Sequence, residues 1–116
     1  MVKIHLIAMH CMLNEESDKD EVFLKHKGKR VWPHKGKYHA MGSNERTQID
    51  VKFDHDPAHD LSVELWDWDL LTPNDLIGTF QMRINADDYG KFTTTLRVAT
   101  SGSTASYLLE WEIEEV

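Results

Sequence analysis

Hydrophobic and polar residues alternate along most of this chain, in short segments separated by turn-forming residues. Alternation with a period of two indicates a β-strand with one buried face, and no window shows a sustained helical period. In residues 106–114, for example, Tyr107, Leu109, Trp111 and Ile113 share one face. The pattern predicts an all-β fold, an eight-stranded antiparallel β-sandwich. The predicted strands are residues 2–12, 21–27, 29–32, 47–54, 61–68, 76–84, 92–98 and 106–114, and a short helical turn is predicted at residues 85–90.

Length and composition limit the class of protein. The chain has 116 residues, 41% of them hydrophobic, which predicts a single domain over residues 1–116. The one cysteine, Cys11, excludes an internal disulfide and argues against a thiolate zinc site. Residues 2–11 are too short and too interrupted by histidine for a signal peptide or a membrane span. We therefore expect a cytoplasmic protein.

Charge is distributed unevenly along the sequence. The net charge of -7 argues against nucleic-acid binding, yet residues 25–39 contain six basic residues and no acidic one. The tetrapeptide His-Lys-Gly-Lys occurs there twice, at residues 26–29 and 34–37. Two interpretations remain open: basic turns with glycine at a positive φ angle, or a basic strand and loop that offers donors to phosphates.

Three aspartates follow a predicted strand in residues 65–78. Asp67 and Asp69 are two positions apart, so their side chains leave the same face of a strand. Pro73 prevents a helix, and Asp75 comes after enough chain to fold back on the first two. Three carboxylates in one place, with no lysine or arginine between them, are unfavourable alone and favourable around a calcium ion.

This segment resembles the third calcium loop of C2 domains, in which an aspartate is followed by a second two positions on and by another six beyond that. Asp67, Asp69 and the segment Asp75-Leu76-Ile77-Gly78 match without a gap, and Asp20 matches an aspartate of the family's first loop. Asn14 stands where that loop usually has its other aspartate. The resemblance implies a type II C2 topology and calcium ligation by Asn14, Asp20, Asp67, Asp69 and Asp75. Because asparagine is uncharged, calcium binding should be weaker than usual.

The resemblance also implies a function, that of a calcium-binding module without catalytic activity that docks reversibly on anionic phospholipid membranes. Leu70 and Leu71 would stand at the tip of the third loop and insert into the membrane. Lys29, Arg30, Lys35 and Lys37 would meet lipid head groups. The alternative is a C2-like protein-interaction or structural domain with weak or no calcium dependence.

Other sites are less consistent with the residues. His55 and His59 suggest zinc, but Pro57 between them favours a polar turn. A hydrolase that used the three aspartates to hold a catalytic ion would lack a general base positioned by spacing. Of Trp66 and Trp68, one is expected in the core and the other beside the loop.

Overall fold

The computed structural model describes residues 1–85, 87 and 89–114, and over these residues the protein is all-β. No helix among them is long and apolar enough to cross a membrane. The predicted turn at residues 85–90 includes residues 86 and 88, which lie outside the described residues. The strands are β1 (Val2–Leu13), β2 (Asp20–His26), β3 (Lys29–Trp32), β4 (His39–Met41), β5 (Glu45–His55), β6 (Leu61–Asp67), β7 (Asp75–Met82), β8 (Gly90–Thr95), β9 (Arg97–Val98) and β10 (Ser106–Glu114).

Two antiparallel sheets form the predicted β-sandwich. The first has the strand order β5-β1-β10-β8, and the second has the order β3-β2-β6-β7-β9, with β4 also paired to β2. One strand precedes the first acidic loop, as the resemblance implied. Each predicted strand has a counterpart in the structure, and β4 is an additional strand of three residues.

The core confirms the predicted alternation. In β10 every second residue is buried, from Tyr107 to Ile113, and these side chains meet Ile4 and Leu6 of the neighbouring β1 within the same core. Fully burying a large apolar side chain contributes about 1.5–3 kcal/mol, so the period-two pattern specifies which face of each strand turns inward.

The prediction of one continuous strand over residues 92–98 is wrong. The chain changes sheets at Leu96, since β8 pairs with β10 in the first sheet and β9 pairs with β7 in the second. The Leu96 N–H donates to the Tyr107 carbonyl at 2.9 Å, and the Leu96 side chain is buried. No glycine or proline marks Leu96 in the sequence. The change of sheet depends instead on tertiary packing, which the local sequence does not reveal.

Both basic turns have glycine at a positive φ angle, as one interpretation of the repeat predicted. Gly28 and Gly36 each have a φ of 79°. Lys27, before Gly28, also has a positive φ of 53°, which is the geometry of a two-residue hairpin turn between β2 and β3. Lys27 and Gly28 thereby direct β3 back along β2.

Candidate functional site

The first acidic loop, residues 14–19, is built around Asp20. The carboxylate of Asp20 is fully buried and accepts the Glu15 N–H at 3.1 and 2.9 Å on its two oxygens. Oδ1 also accepts the Glu16 N–H at 3.0 Å, and the Tyr107 hydroxyl donates to Oδ2 at 2.6 Å. Because each oxygen accepts two hydrogen bonds from the protein, Asp20 holds the loop in shape and has little remaining capacity for an ion.

Asn14 closes the same loop from its other side. Its side-chain nitrogen donates to the carbonyl oxygens of Glu16 and Asp18, and its side-chain oxygen accepts the Ser43 hydroxyl at 2.7 Å. An aspartate could not donate these two hydrogen bonds, which gives a structural reason for asparagine at this position. Asn14 therefore uses its polar atoms within the protein.

Asp67 lies at the end of β6 and is only 7% exposed. One of its oxygens accepts the Glu21 N–H at 2.9 Å. Burial, together with a contact to the Glu16 carboxyl group, raises the pKa of Asp67 to about 7. Two carboxyl groups this close repel each other when both are ionised, and a shared proton or a cation would relieve that repulsion.

Glu16 and Asp67 belong to an acidic cleft of about 520 Å³. Glu15 and Asp75 also line this acidic cleft, so four carboxyl groups surround it. Asp75 begins β7 and lies directly opposite Asp67 in the pairing of β6 with β7. Like charges directly opposite each other destabilise a sheet, and a divalent cation would remove that penalty.

Asp69 has a different environment from the other two aspartates. Its Oδ1 accepts the N–H groups of Leu71 and Thr72 at 3.1 and 3.4 Å. A hydrogen bond from the Thr72 side chain, and then these backbone donors, lower the pKa of Asp69. The residue lines a neighbouring cleft of about 440 Å³, which Glu16 also lines. Of the predicted ligands, the structure thus brings Asp67 and Asp75 together and places Asp69 beside them.

The tip of the loop at residues 68–74 exposes two leucines. Leu70 is 75% exposed and Leu71 is 89% exposed, and both line the cleft that contains Asp69. Trp68, at the base of the loop, stacks on Tyr38 with ring centroids 5.0 Å apart. An exposed apolar pair beside a stacked aromatic base is suited to burial in a membrane interface.

A second group of tryptophan and basic residues covers the outer face of the second sheet. Trp66 stacks on Phe23, and the Lys25 ammonium group lies 4.6 Å from the centroid of a Trp66 ring. The prediction that Trp66 or Trp68 belongs to the core is wrong, because both residues have the outward parity of β6 and are only partly buried.

The four predicted head-group residues have separate positions. The Arg30 guanidinium group lies 4.3 Å from the centroid of the Phe23 ring, and the Lys37 ammonium group lies 5.5 Å from that of Trp68. Lys29 is exposed in β3. Lys35 is exposed in the loop before β4. The outer face therefore carries cations on an aromatic surface that extends toward the loops.

Sequence reasoning did not select Glu16 as a site residue or identify the role of the Tyr107 hydroxyl. Glu16 is one of several acids in a polar loop, and only the fold brings it to Asp67. Tyr107 was correctly predicted to be buried, but a strand pattern carries no information on the partner of its hydroxyl. Lys19 also lies in the first loop, where it pairs with Glu45 at 2.7 Å.

The structure gives the geometry of the predicted histidine pair and of one further cluster of possible metal ligands. The His55 ring is buried and its Nε2 donates to the His59 carbonyl at 2.7 Å, so the two histidines form a structural turn. Across the described part of the chain, one set of three side chains has ligand atoms within 4.8 Å of one another: His5, Glu112 and Glu114. Among the described residues, no three loop carboxylates have ligand atoms this close to one another.

Structural comparisons identify the fold. The structure of a C2 domain from plant Extended Synaptotagmin 1 is similar with a TM-score of 0.53 and 15% identity, covering 99% of this chain and 94% of that chain. Another C2 domain structure is similar with a TM-score of 0.58 and 14% identity, covering 100% of both chains. No protein-family model and no curated protein matches the sequence. The protein therefore has the fold of C2 domains.

Proposed function

We propose that residues 1–116 form one calcium-dependent C2 domain that docks reversibly on anionic phospholipid membranes at the cytoplasmic side and has no catalytic activity. The fold supports a binding module for lipid or protein. The observation that favours calcium is the contact between the carboxyl groups of Asp67 and Glu16 in the four-carboxylate cleft. Calcium prefers oxygen ligands, and it would replace a shared proton between these groups.

We infer a ligand set that differs from the one the sequence implied. Asp67 and Asp75 would be the principal ligands, with Glu16 and Glu15 as additional carboxylates of the acidic cleft. Asp69 would join after a small movement of its loop, whereas Asn14 and Asp20 would support the site through the hydrogen bonds they already make. Calcium would reduce the negative charge of this end and allow it to approach an anionic surface.

Membrane contact would begin at Leu70 and Leu71. Their exposed apolar surface would be buried at about 25 cal/mol per Å², which favours shallow and reversible insertion. Lys29, Arg30, Lys35 and Lys37 would each add up to roughly 1 kcal/mol where they come close to anionic lipid.

Sedimentation with anionic liposomes, in calcium and in chelator, tests this function. We expect wild-type protein to sediment only with calcium, and the Asp67→Asn/Asp75→Asn variant to remain in the supernatant. Asp60→Asn is the matched control, since this exposed carboxylate lies outside the acidic cleft. Unchanged sedimentation of the double variant would reject the proposal.

The Leu70→Ser/Leu71→Ser variant separates the two steps. We expect it to keep the calcium-induced rise in melting temperature, because neither leucine supplies a carboxylate, and to bind liposomes several-fold more weakly. No effect of calcium on the melting temperature of the wild-type protein, even at millimolar concentration, would favour the alternative of a lipid-independent interaction domain.

A further inference from the structure

A histidine and two glutamates form a separate cluster on the outer face of the first sheet, away from the acidic loops. His5 of β1 lies directly opposite Glu112 of β10. Its Nδ1 is 3.3 Å from Glu112 Oε1 and 3.6 Å from Glu114 Oε1. The three side chains are partly exposed, at 17, 24 and 28%. An ion could therefore reach them from solvent without a change in the sheet.

These spacings suit a tetrahedral metal ion. Zinc binds histidine nitrogen and carboxylate oxygen at about 2.0–2.2 Å, so two ligand atoms at a tetrahedral angle are separated by about 3.3–3.6 Å. Both distances from His5 Nδ1 agree with this value. One imidazole with two carboxylates is a mixed donor set that leaves a fourth position for water.

Asp50 orients the histidine ring toward the two glutamates. Its Oδ1 lies 2.9 Å from His5 Nε2, the ring nitrogen that faces away from them. Asp50 reaches this position because β5 has a bulge, in which Ile49 and Asp50 stand opposite the single residue Ile7. A carboxylate that accepts the proton of one ring nitrogen leaves a lone pair on the other, as in carboxylate–histidine–zinc sites.

We propose that His5, Glu112 and Glu114 bind a divalent transition-metal ion of the zinc type, with Asp50 as the residue that positions the histidine. Lys52 opposes binding, because its ammonium group lies 2.9 Å from Glu114 Oε1, the same oxygen that faces His5. Lys52 is half-exposed, so it can move into solvent when the ion enters. This site is independent of the acidic cleft and of the proposed membrane function.

Zinc titration of the full chain by calorimetry tests the proposal, with the Asp67→Asn/Asp75→Asn background used to remove acidic-cleft ligands. We expect one zinc ion per chain. His5→Asn and Glu112→Gln should each weaken binding at least about tenfold, and Asp50→Asn should weaken it about tenfold. Lys52→Gln should strengthen binding several-fold because it frees the Glu114 oxygen.

His10→Asn is the matched control, because His10 occupies the same outer face but contacts Glu110, at 2.7 Å, and neither ligand glutamate. It should leave zinc affinity unchanged, and cobalt should give the visible spectrum of a tetrahedral site that His5→Asn removes. Absence of zinc binding in the background variant would overturn the proposal, as would binding that is unaffected by Glu112→Gln and Lys52→Gln. Liposome sedimentation in calcium should be unaffected by these variants, so this proposal and the membrane function can fail separately.

Discussion

The hydroxyl of Tyr107 donates a 2.6 Å hydrogen bond to Oδ2 of Asp20, which joins β10 of the first sheet to β2 of the second. Both residues are fully buried. Burial, and then the contact with Asp20, raise the pKa of Tyr107, so the hydroxyl remains a donor. Since Asp20 also accepts the N–H groups of Glu15 and Glu16, this bond connects the core to the first acidic loop.

Tyr107→Phe should destabilise the protein by about 1–3 kcal/mol, because it leaves a buried carboxylate without one of its donors while the ring still fills its place. Urea denaturation measures this change. We also expect weaker calcium binding, since the loop that carries Glu16 would be less well ordered. A loss below about 0.5 kcal/mol would show that water or another donor replaces the hydroxyl.

Asp67 should make stability depend on pH. Its pKa is about 7 in the folded protein and about 3.9 in the unfolded chain, so the folded state retains a proton between these values. The contribution of Asp67 to the free energy of unfolding is therefore greatest below about pH 4. It falls by roughly 2–4 kcal/mol as the pH rises toward 7.

The measurement compares unfolding free energies of wild-type protein and Asp67→Asn from about pH 4.5 to about pH 8, in chelator. As the pH rises, the unfolding free energy of the wild-type protein should fall relative to that of Asp67→Asn. Calcium should reverse this trend for the wild-type protein, because it binds the ionised form. A constant difference across this range would contradict the elevated pKa.

Much of the fold could be predicted from the sequence, because strand alternation and burial have the same period. The inward residues of β10 follow from parity alone. Trp66 and Trp68 have equal parity, so alternation itself places both tryptophans on the outer face and neither in the core. Leu96 could not have been identified as the point where the chain changes sheets, because its role depends on partners distant in sequence.

Prediction of the site was limited for a different reason. Residue spacing located the acidic loops and predicted that Asp75 folds back toward Asp67. In the structure both residues line the same cleft. Spacing could not distinguish a carboxylate that faces the cleft from one whose oxygens already accept backbone N–H groups, as those of Asp20 do. That difference depends on the path of the backbone over residues 14–19, which the pattern of hydrophobic and polar residues does not predict.

Asn14→Asp tests this distinction directly. The substitution introduces the aspartate typical of C2 domains, and charge alone would predict tighter calcium binding. We expect the opposite, because a carboxylate would lose both donated hydrogen bonds and face the carbonyl oxygens of Glu16 and Asp18. Stability should fall by about 1–3 kcal/mol. Thermal unfolding and calcium calorimetry measure the two effects, and tighter calcium binding without a loss of stability would refute the structural role of Asn14.

Gly78 should tolerate no side chain. A Cβ atom at this position would lie 2.3 Å from the Arg97 carbonyl oxygen and 2.9 Å from Leu96 Cγ, so β9 would have to move away from β7. Gly78→Ala should therefore cost about 2–4 kcal/mol and release the segment that follows the change of sheet. Gly102→Ala is the control: it has open space but a φ of 88°, so only backbone strain of about 1 kcal/mol is expected. Equal destabilisation of the two variants in urea would show that close packing of β9 on Gly78 contributes nothing beyond backbone strain.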